Sequence, residues 1–393
     1  MAYTNEVFTV CLLRDGAPSA ARATVSLPAF PYTLRDAMDK VRLREGDALR
    51  VEIESYHRCG FLSSLPTEKP DLPRLNLLAG KLAELDAQEL KQFEGLALIT
   101  AGEGENRKTL TMETLLDLAS STSAATLIPA STDEELGKYC VKHGLIPALK
   151  DLSEEAKEML DYDKIGYVRR CMEAGTFLND NRTYVVQSGE LRHKDNQMKD
   201  TAREPDYTVM LMVKVPAREK PLPLRLPATT AEIDEALEHC PAVSWECVDC
   251  KVPALSRLLS KAESLDVVCN AALVLETIPD RDLPNYKALL ESEGFYSLGE
   301  ALGQLDHLDE YILTPEISCP EELAQSELSF YLDDNTLETL LPFVNMDAYG
   351  REIMRKEQLS MTEYGLFERK RDLCMEQKNE AALPQNNMTI GGM

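Results

Sequence analysis

Between Lys287 and Arg351 the sequence contains no lysine and no arginine. It also has no apolar run long enough to cross a bilayer, and its start has neither a basic nor an apolar leader region. Both absences predict a cytoplasmic protein. G-x-S-x-G, H-E-x-x-H and P-loop motifs are missing as well, so no catalytic residue, metal or cofactor is expected and the chain reads as a non-enzyme. What fills the cation-free stretch is acid: Glu291, Glu293, Glu300, Asp306, Asp309, Glu310, Glu316, Glu321, Glu322, Glu327, Asp333, Asp334, Glu338 and Asp347. These alternate with Leu298, Leu302, Leu305, Leu308, Tyr311, Leu323, Leu328, Phe330, Leu337 and other apolar residues, which predicts a folded segment that holds its charges in place.

Like charges on a folded surface repel and destabilise the compact state. One reading of the stretch is a solubilising face. The other is that the negative field is itself the product. Duplex DNA presents one phosphate charge per roughly 1.7 Å of axis, and carboxylates three or four residues apart on a helix lie roughly 5–6 Å apart at Cβ. A rigid protein can therefore offer an array of anions to a site built for DNA. The whole chain, 393 residues with a formal charge of -25, carries the same sign. That excess disfavours direct binding to nucleic acid or anionic lipid and favours basic partners. With 44% hydrophobic residues the chain has the means for two or three globular domains, and its ten cysteines suit reduced, core-filling thiols.

A weak internal repeat organises the chain. Phe8–Leu13 is echoed by Tyr207–Met212 and Val25–Pro28 by Leu224–Pro227, each followed by an amphipathic helical pattern: Leu34, Ala37, Met38 and Val41, then Ile233, Ala236, Leu237 and Cys240. Thr33 with Asp36, and Thr229 with Glu232, read as capping boxes. Strands are predicted at Val51–Glu54 and Trp245–Val248, the latter seating Trp245 in the core. Helices follow at Leu75–Ala79, with Leu75, Leu78, Ala79 and Leu82 on one face, and at Cys269–Leu273, then at Leu115–Ala119 and Leu298–Leu302. Asp163-Lys-Ile-Gly166 and Asp347-Ala-Tyr-Gly350 read as turns in which an aspartate caps and glycine takes a positive φ. Terminal strands are predicted at Thr183–Val186 and Gly365–Glu368.

The mixed alternation of strands and helices predicts an α+β fold, an elongated tandem duplication in which each copy is made of small mixed subdomains. The boundaries are 1–186 for the first repeat, 187–206 for a solvated linker, 207–374 for the second repeat and 375–393 for a disordered tail.

Other candidate chemistry reads as structural. Cys247 and Cys250 form a lone C-x-x-C, and on a regular strand they face opposite sides of the sheet, which does not suit zinc. His57, His143, His193, His239 and His307 join no nucleophile motif. Gly102 and Gly104 belong to a loop rather than a dinucleotide fingerprint. The acid pairs Glu321-Glu322 and Asp333-Asp334 sit among like charges with no singled-out partner, as a charged surface does.

Several stretches resemble the ArdA-type antirestriction proteins: Val51–Tyr56, Leu75–Ala79, Asp133–Glu135, and Leu160–Gly166 followed by Gly175–Phe177 in the first copy, then Val344–Glu352 before Tyr364–Phe367 in the second. The resemblance implies a DNA mimic of mobile-element origin that occupies the DNA-binding channel of type I restriction-modification enzymes, with the fourteen acids as its partner-binding surface. It also implies dimers. Two copies in one chain leave open an intramolecular pseudo-dimer or a further homodimer. The first copy carries Arg107, Lys108, Lys138 and Lys142 around its acidic region, so the second is the stronger candidate for mimicry. An alternative reading is an acidic adaptor or scaffold that docks another basic partner.

Overall fold

The computed structural model describes residues 6–15, 21–43, 46–102, 104, 107–150, 152–180, 182–192, 205–216, 220–237 and 243–370. Cys240, His193, His239, residues 193–204 of the expected linker and the expected tail lie outside the described residues. The fold mixes helices with small antiparallel three-stranded sheets and clusters into two compact units; Arg22–Pro205 belongs to the first, and the chain from Asp206 onward, with Ala21, to the second.

In the first unit β1 (Phe8–Arg14) is the central strand, flanked by β2 (Arg22–Leu27) and, beyond α1 (Pro31–Val41), by β3 (Leu49–Ser55). Phe8, Val10 and Leu12 point inward, joined by Ala37 and Val41 of α1. The helix starts earlier than its expected capping box: Phe30 is the N-cap and Pro31 opens the first turn. Proline suits that position because its missing N–H has no helical partner to lose and its φ is already helical. Asp36 instead lies buried against Lys40, 3.1 Å away. α2 (Leu72–Glu84), α3 (Ala87–Ala101) and α4 (Met112–Ala119) complete this core. Leu75, Leu78, Ala79 and Leu82 are all buried, as their spacing predicts.

A second sheet follows in the same unit. β4 (Ala125–Ile128), α5 (Asp133–Lys142), α6 (Glu154–Glu158), α7 (Tyr162–Met172), β5 (Gly175–Phe177) and β6 (Tyr184–Gln187) form it, with strand order β4-β6-β5. The expected linker does not begin at residue 187. Gln187 ends β6, the Ser188 and Gly189 amides donate to the Ala124 carbonyl at 2.8 and 3.1 Å, and the Arg192 amide donates to Ser121 Oγ at 2.9 Å. Backbone donors near a fold need partners, and here the sheet edge and its neighbouring turn supply them.

The second unit runs β7 (Val209–Lys214), β8 (Leu222–Leu226), α8 (Thr230–Ala236), β9 (Ser244–Cys250), α9 (Ser256–Leu259) and α10 (Leu265–Glu276). It continues through α11 (Leu283–Glu293), α12 (Leu298–Gly303), β10 (Tyr311–Thr314), α13 (Pro320–Tyr331), α14 (Asp334–Leu340), α15 (Met346–Glu357), β11 (Ser360–Thr362) and β12 (Gly365–Arg369). Its sheets have the orders β8-β7-β9 and β10-β12-β11, which match the strand orders of the first unit. The Thr229/Glu232 capping box is present. Trp245 is half-buried against the core and donates its indole N–H to the Leu259 carbonyl at 3.0 Å.

Two strand expectations change in detail. Phe8 pairs with Leu27 and Val209 with Leu226, so β1 matches β7 with Phe8 over Val209, not over Tyr207. A slip of two residues leaves the same side chains facing inward, which is why the apolar pattern does not register it. Further along, Leu211 pairs with Cys247 but Met210 with Asp249, leaving Val248 as a bulge. The bulge turns Cys247 and Cys250 to the same buried face, where both are free thiols.

The Asp-x-x-Gly segments are not turns. Gly166 lies inside α7 and Gly350 inside α15, and the N-caps are Asp161 and Asn345, two residues before the expected aspartates. The glycines serve close approach. A Cβ on Gly166 would sit 1.8 Å from the Asp133 carbonyl oxygen of α5, and a Cβ on Gly350 would sit 1.8 Å from the Pro320 carbonyl oxygen of α13. Two helix pairs, α5 with α7 and α13 with α15, therefore cross backbone to backbone.

Candidate functional site

The acidic stretch of the second unit is built around α11, which is buried on two sides. Leu283, Tyr286 and Leu290 join the core under the β7 sheet, while Ala288 and Leu289 meet Tyr364 and Phe367 of the second sheet. Lys287, the last cation before the stretch, is itself buried, 3% exposed. The helix ends on Glu291 and Glu293, where the backbone carbonyls already point outward and added anions are disfavoured. Glu291 is anchored nonetheless: both its carboxylate oxygens accept from the Glu363 amide at 3.1 Å. Glu293 accepts from the Tyr311 hydroxyl at 3.4 Å.

The remaining acids spread over several elements, and many close local backbone bonds. Glu300, on α12, accepts from the Tyr296 amide at 2.9 Å. Asp306, Asp309 and Glu310 lie on the 3-10 turn Gln304–Glu310. Glu316 follows β10. Glu321, Glu322 and Glu327 ride α13, with Glu322 accepting from the Ser318 amide at 2.5 Å. Asp333 caps α14 through the Thr336 amide and hydroxyl, at 3.1 and 2.8 Å, and Asp334 and Glu338 lie on that helix. Asp347 occupies the first turn of α15. None of the fourteen is buried, and ten are exposed.

Neutralisation is partial. Arg351 pairs with Asp347 at 2.9 Å and also feels Glu321, which joins the starts of α13 and α15 in one charged cluster. Arg369 pairs with Glu310 at 2.5 Å and feels Glu293, forming a second cluster. Asp306, Glu327, Asp334 and Glu338 have no lysine or arginine partner among the described residues. The carboxyls of Glu310, Asp333 and Asp347 lie below the usual range. Hydrogen bonds from His307 and then Arg369 hold the first, the Thr336 hydroxyl and amide the second, and Arg351 the third. All three stay ionised near neutral pH.

Sequence reasoning missed two features of this surface. Seven of the fourteen acids (Glu291, Glu293, Glu300, Glu310, Glu322, Asp333 and Asp347) hold up local structure as caps, pairs or acceptors. The caps had a readable signal in Ser297 and in Asp333-Asp-Asn-Thr336. Phe330, one of the apolar residues whose alternation with the acids predicts a folded segment, is 83% exposed, beside Tyr331 at 69%; Phe343 is 84% exposed. Phe330 falls seven residues after buried Leu323, so the helical pattern places it inward, but α13 outruns the core that covers its beginning.

Elsewhere, His57 lies 2.7 Å from Thr9 Oγ1, His143 sits against the Tyr139 ring, and His307 lies 2.8 Å from Glu310. Among the described residues no group of three or more metal-ligating side chains converges. No family model matches the chain, and no curated protein matches it.

Proposed function

We propose that this chain is a non-enzymatic, cytoplasmic DNA mimic of the ArdA type, arisen by tandem duplication. Its second unit presents carboxylates to the basic DNA-binding channel of a type I restriction-modification enzyme. The observation that carries the proposal is the cation-free stretch 288–350, whose acids all reach solvent and half of which are held by hydrogen bonds or ion pairs. Charges fixed in this way need no ordering when a partner arrives, so more of their attraction is retained as affinity. Complementary fields make association fast and sensitive to salt. The shared strand orders and the paired helix crossings at Gly166 and Gly350 support duplication.

The test adds the purified protein to a type I restriction reaction and titrates duplex DNA against the protein–enzyme complex. Inhibition that duplex DNA relieves competitively is the expected result. An enzyme that binds protein and DNA together with unchanged affinities would overturn the proposal. The exposed aromatic side chains at the end of α13 favour a second reading, an acidic adaptor for another basic partner. Reversing three or four charges within 288–350 separates the two: graded loss belongs to mimicry, and loss at one cluster only belongs to an adaptor with a small hot spot.

A further inference from the structure

Phe330 and Tyr331 end α13, their rings edge-on at 5.1 Å, and Phe343 closes the 3-10 turn after α14, next to partly exposed Leu340. Only the short helix α14 separates the Phe330–Tyr331 pair from Phe343, so the three exposed rings are carried by one segment of chain, 330–343. Glu327, three and four residues before the pair on α13, and Asp333, Asp334 and Glu338 belong to the same stretch of chain, and none of the four is buried. Large apolar side chains left in water without cover mark interaction sites when they are grouped. Phenylalanine and tyrosine suit such anchors because each carries much contact area on two rotatable bonds. Asp333, which caps α14 through two hydrogen bonds to Thr336, fixes the joint that displays them.

We propose that the segment 330–343 of the second unit is an anchoring surface for a protein partner that is cationic and amphipathic, with apolar side chains or pockets set between lysines and arginines. The inference rests on the reading of the partner as basic, and adds that the contact is apolar at its centre and ionic at its rim. Charge selects this occupant over others. Anionic lipid and nucleic acid meet repulsion from these four carboxylates. A second copy brings the same acids and a formal charge of -25. Another apolar surface, a groove of about 530 Å³ in the first unit lined by Leu145, Leu149, Leu160, Ile165, Val168 and Met172, has Asp161, Lys164 and Arg169 in its walls and so lacks the one-sided negative charge of 330–343.

The test uses the full chain and two synthetic helical peptides of equal length and net charge, one patterned with lysine and leucine, the other with lysine and glutamine. Binding is followed by calorimetry at low and at physiological salt. The leucine peptide binds about tenfold more tightly, and the F330S/Y331S/F343S variant loses that preference while its affinity for the glutamine peptide is unchanged. These side chains touch little, so the melting curve of the variant overlays that of the parent; a shifted curve is answered by the single variants, of which F343S must lower the preference alone. Equal binding of the two peptides overturns the proposal. So does a preference that persists in the triple variant, which places binding elsewhere on the chain. Sedimentation of the parent as a dimer that the triple variant dissociates assigns the patch to a second copy and likewise overturns it. Failure of restriction inhibition with the peptide preference intact removes mimicry and leaves this surface standing.

Discussion

Replacing Gly350 by alanine tests the backbone crossing of α13 and α15, the helices that carry Glu321, Glu322, Glu327 and Asp347. In an exposed helix interior the change gains about 0.5–1 kcal/mol, since glycine loses more freedom on folding. Here the added methyl would lie 1.8 Å from the Pro320 carbonyl oxygen, and the next nearest atoms are also backbone. No side chain can swing aside, so α13 and α15 must separate by more than an ångström. Leu323, Ile353 and Leu366, which fill the gap between these helices and the sheet, then lose a quarter to a half of their contact attraction. Overpacking of this kind costs about 1–3 kcal/mol, and with the lost contacts it outweighs the helix gain, for a net loss of about 2 kcal/mol. For a unit of this size that is a fall in Tm of about 4–8 °C. Thermal and urea unfolding read it, with hydrogen exchange locating the loosening in α13 and α15. Gly80, inside α2 with open space where its Cβ would be, is the control: G80A holds or raises stability. A G350A protein as stable as G80A, with an unchanged urea slope, would refute the crossing. A displaced α13 also moves Glu321, Glu322 and Glu327, so G350A weakens partner binding without removing a charge.

Lys251 is nearly buried and donates to the Ile278 carbonyl at 2.6 Å, closing the end of α10. K251M leaves that carbonyl without its donor and costs about 1–3 kcal/mol by urea denaturation; a loss within error of zero would show that water replaces the ammonium group freely. Glu352, held down to about 2 by Arg355, gives a pH test. A carboxyl whose folded value lies below its unfolded one adds stability above the unfolded value and loses it as pH falls through the folded value. The urea midpoint of E352Q is therefore slightly below that of the parent at pH 7, and the gap closes between about pH 4.5 and 2. A gap that widens in acid contradicts the pairing.

Local periodicity made much of the fold legible. The inward faces of β1 and α2, the capping box at Thr229 and the terminal strands at Tyr184 and Gly365 depend on residues close in sequence, whose spacing matches the period of a strand or helix. The acids of 288–350 were visible in the same way, because the absence of lysine and arginine is a property of sequence alone. The positions of those acids were not. That Glu291 anchors the Glu363 amide, that Arg369 reaches Glu310, and that Val248 bulges so that Cys247 and Cys250 share a face all depend on segments brought together from far along the chain.

Gly350 shows the division most plainly. Its sequence context, an aspartate three residues before a glycine, fits a turn as well as a helix. Only the approach of Pro320, thirty positions earlier, decides that the glycine serves contact rather than conformation. Phe330 shows it from the other side: the helical pattern assigns it a face, but whether that face is covered depends on where the neighbouring sheet and α15 end. Sequence determined which charges and apolar side chains this protein has and how each element is patterned. Tertiary structure decided which of them meet, because a contact between distant segments carries no periodic trace in either one.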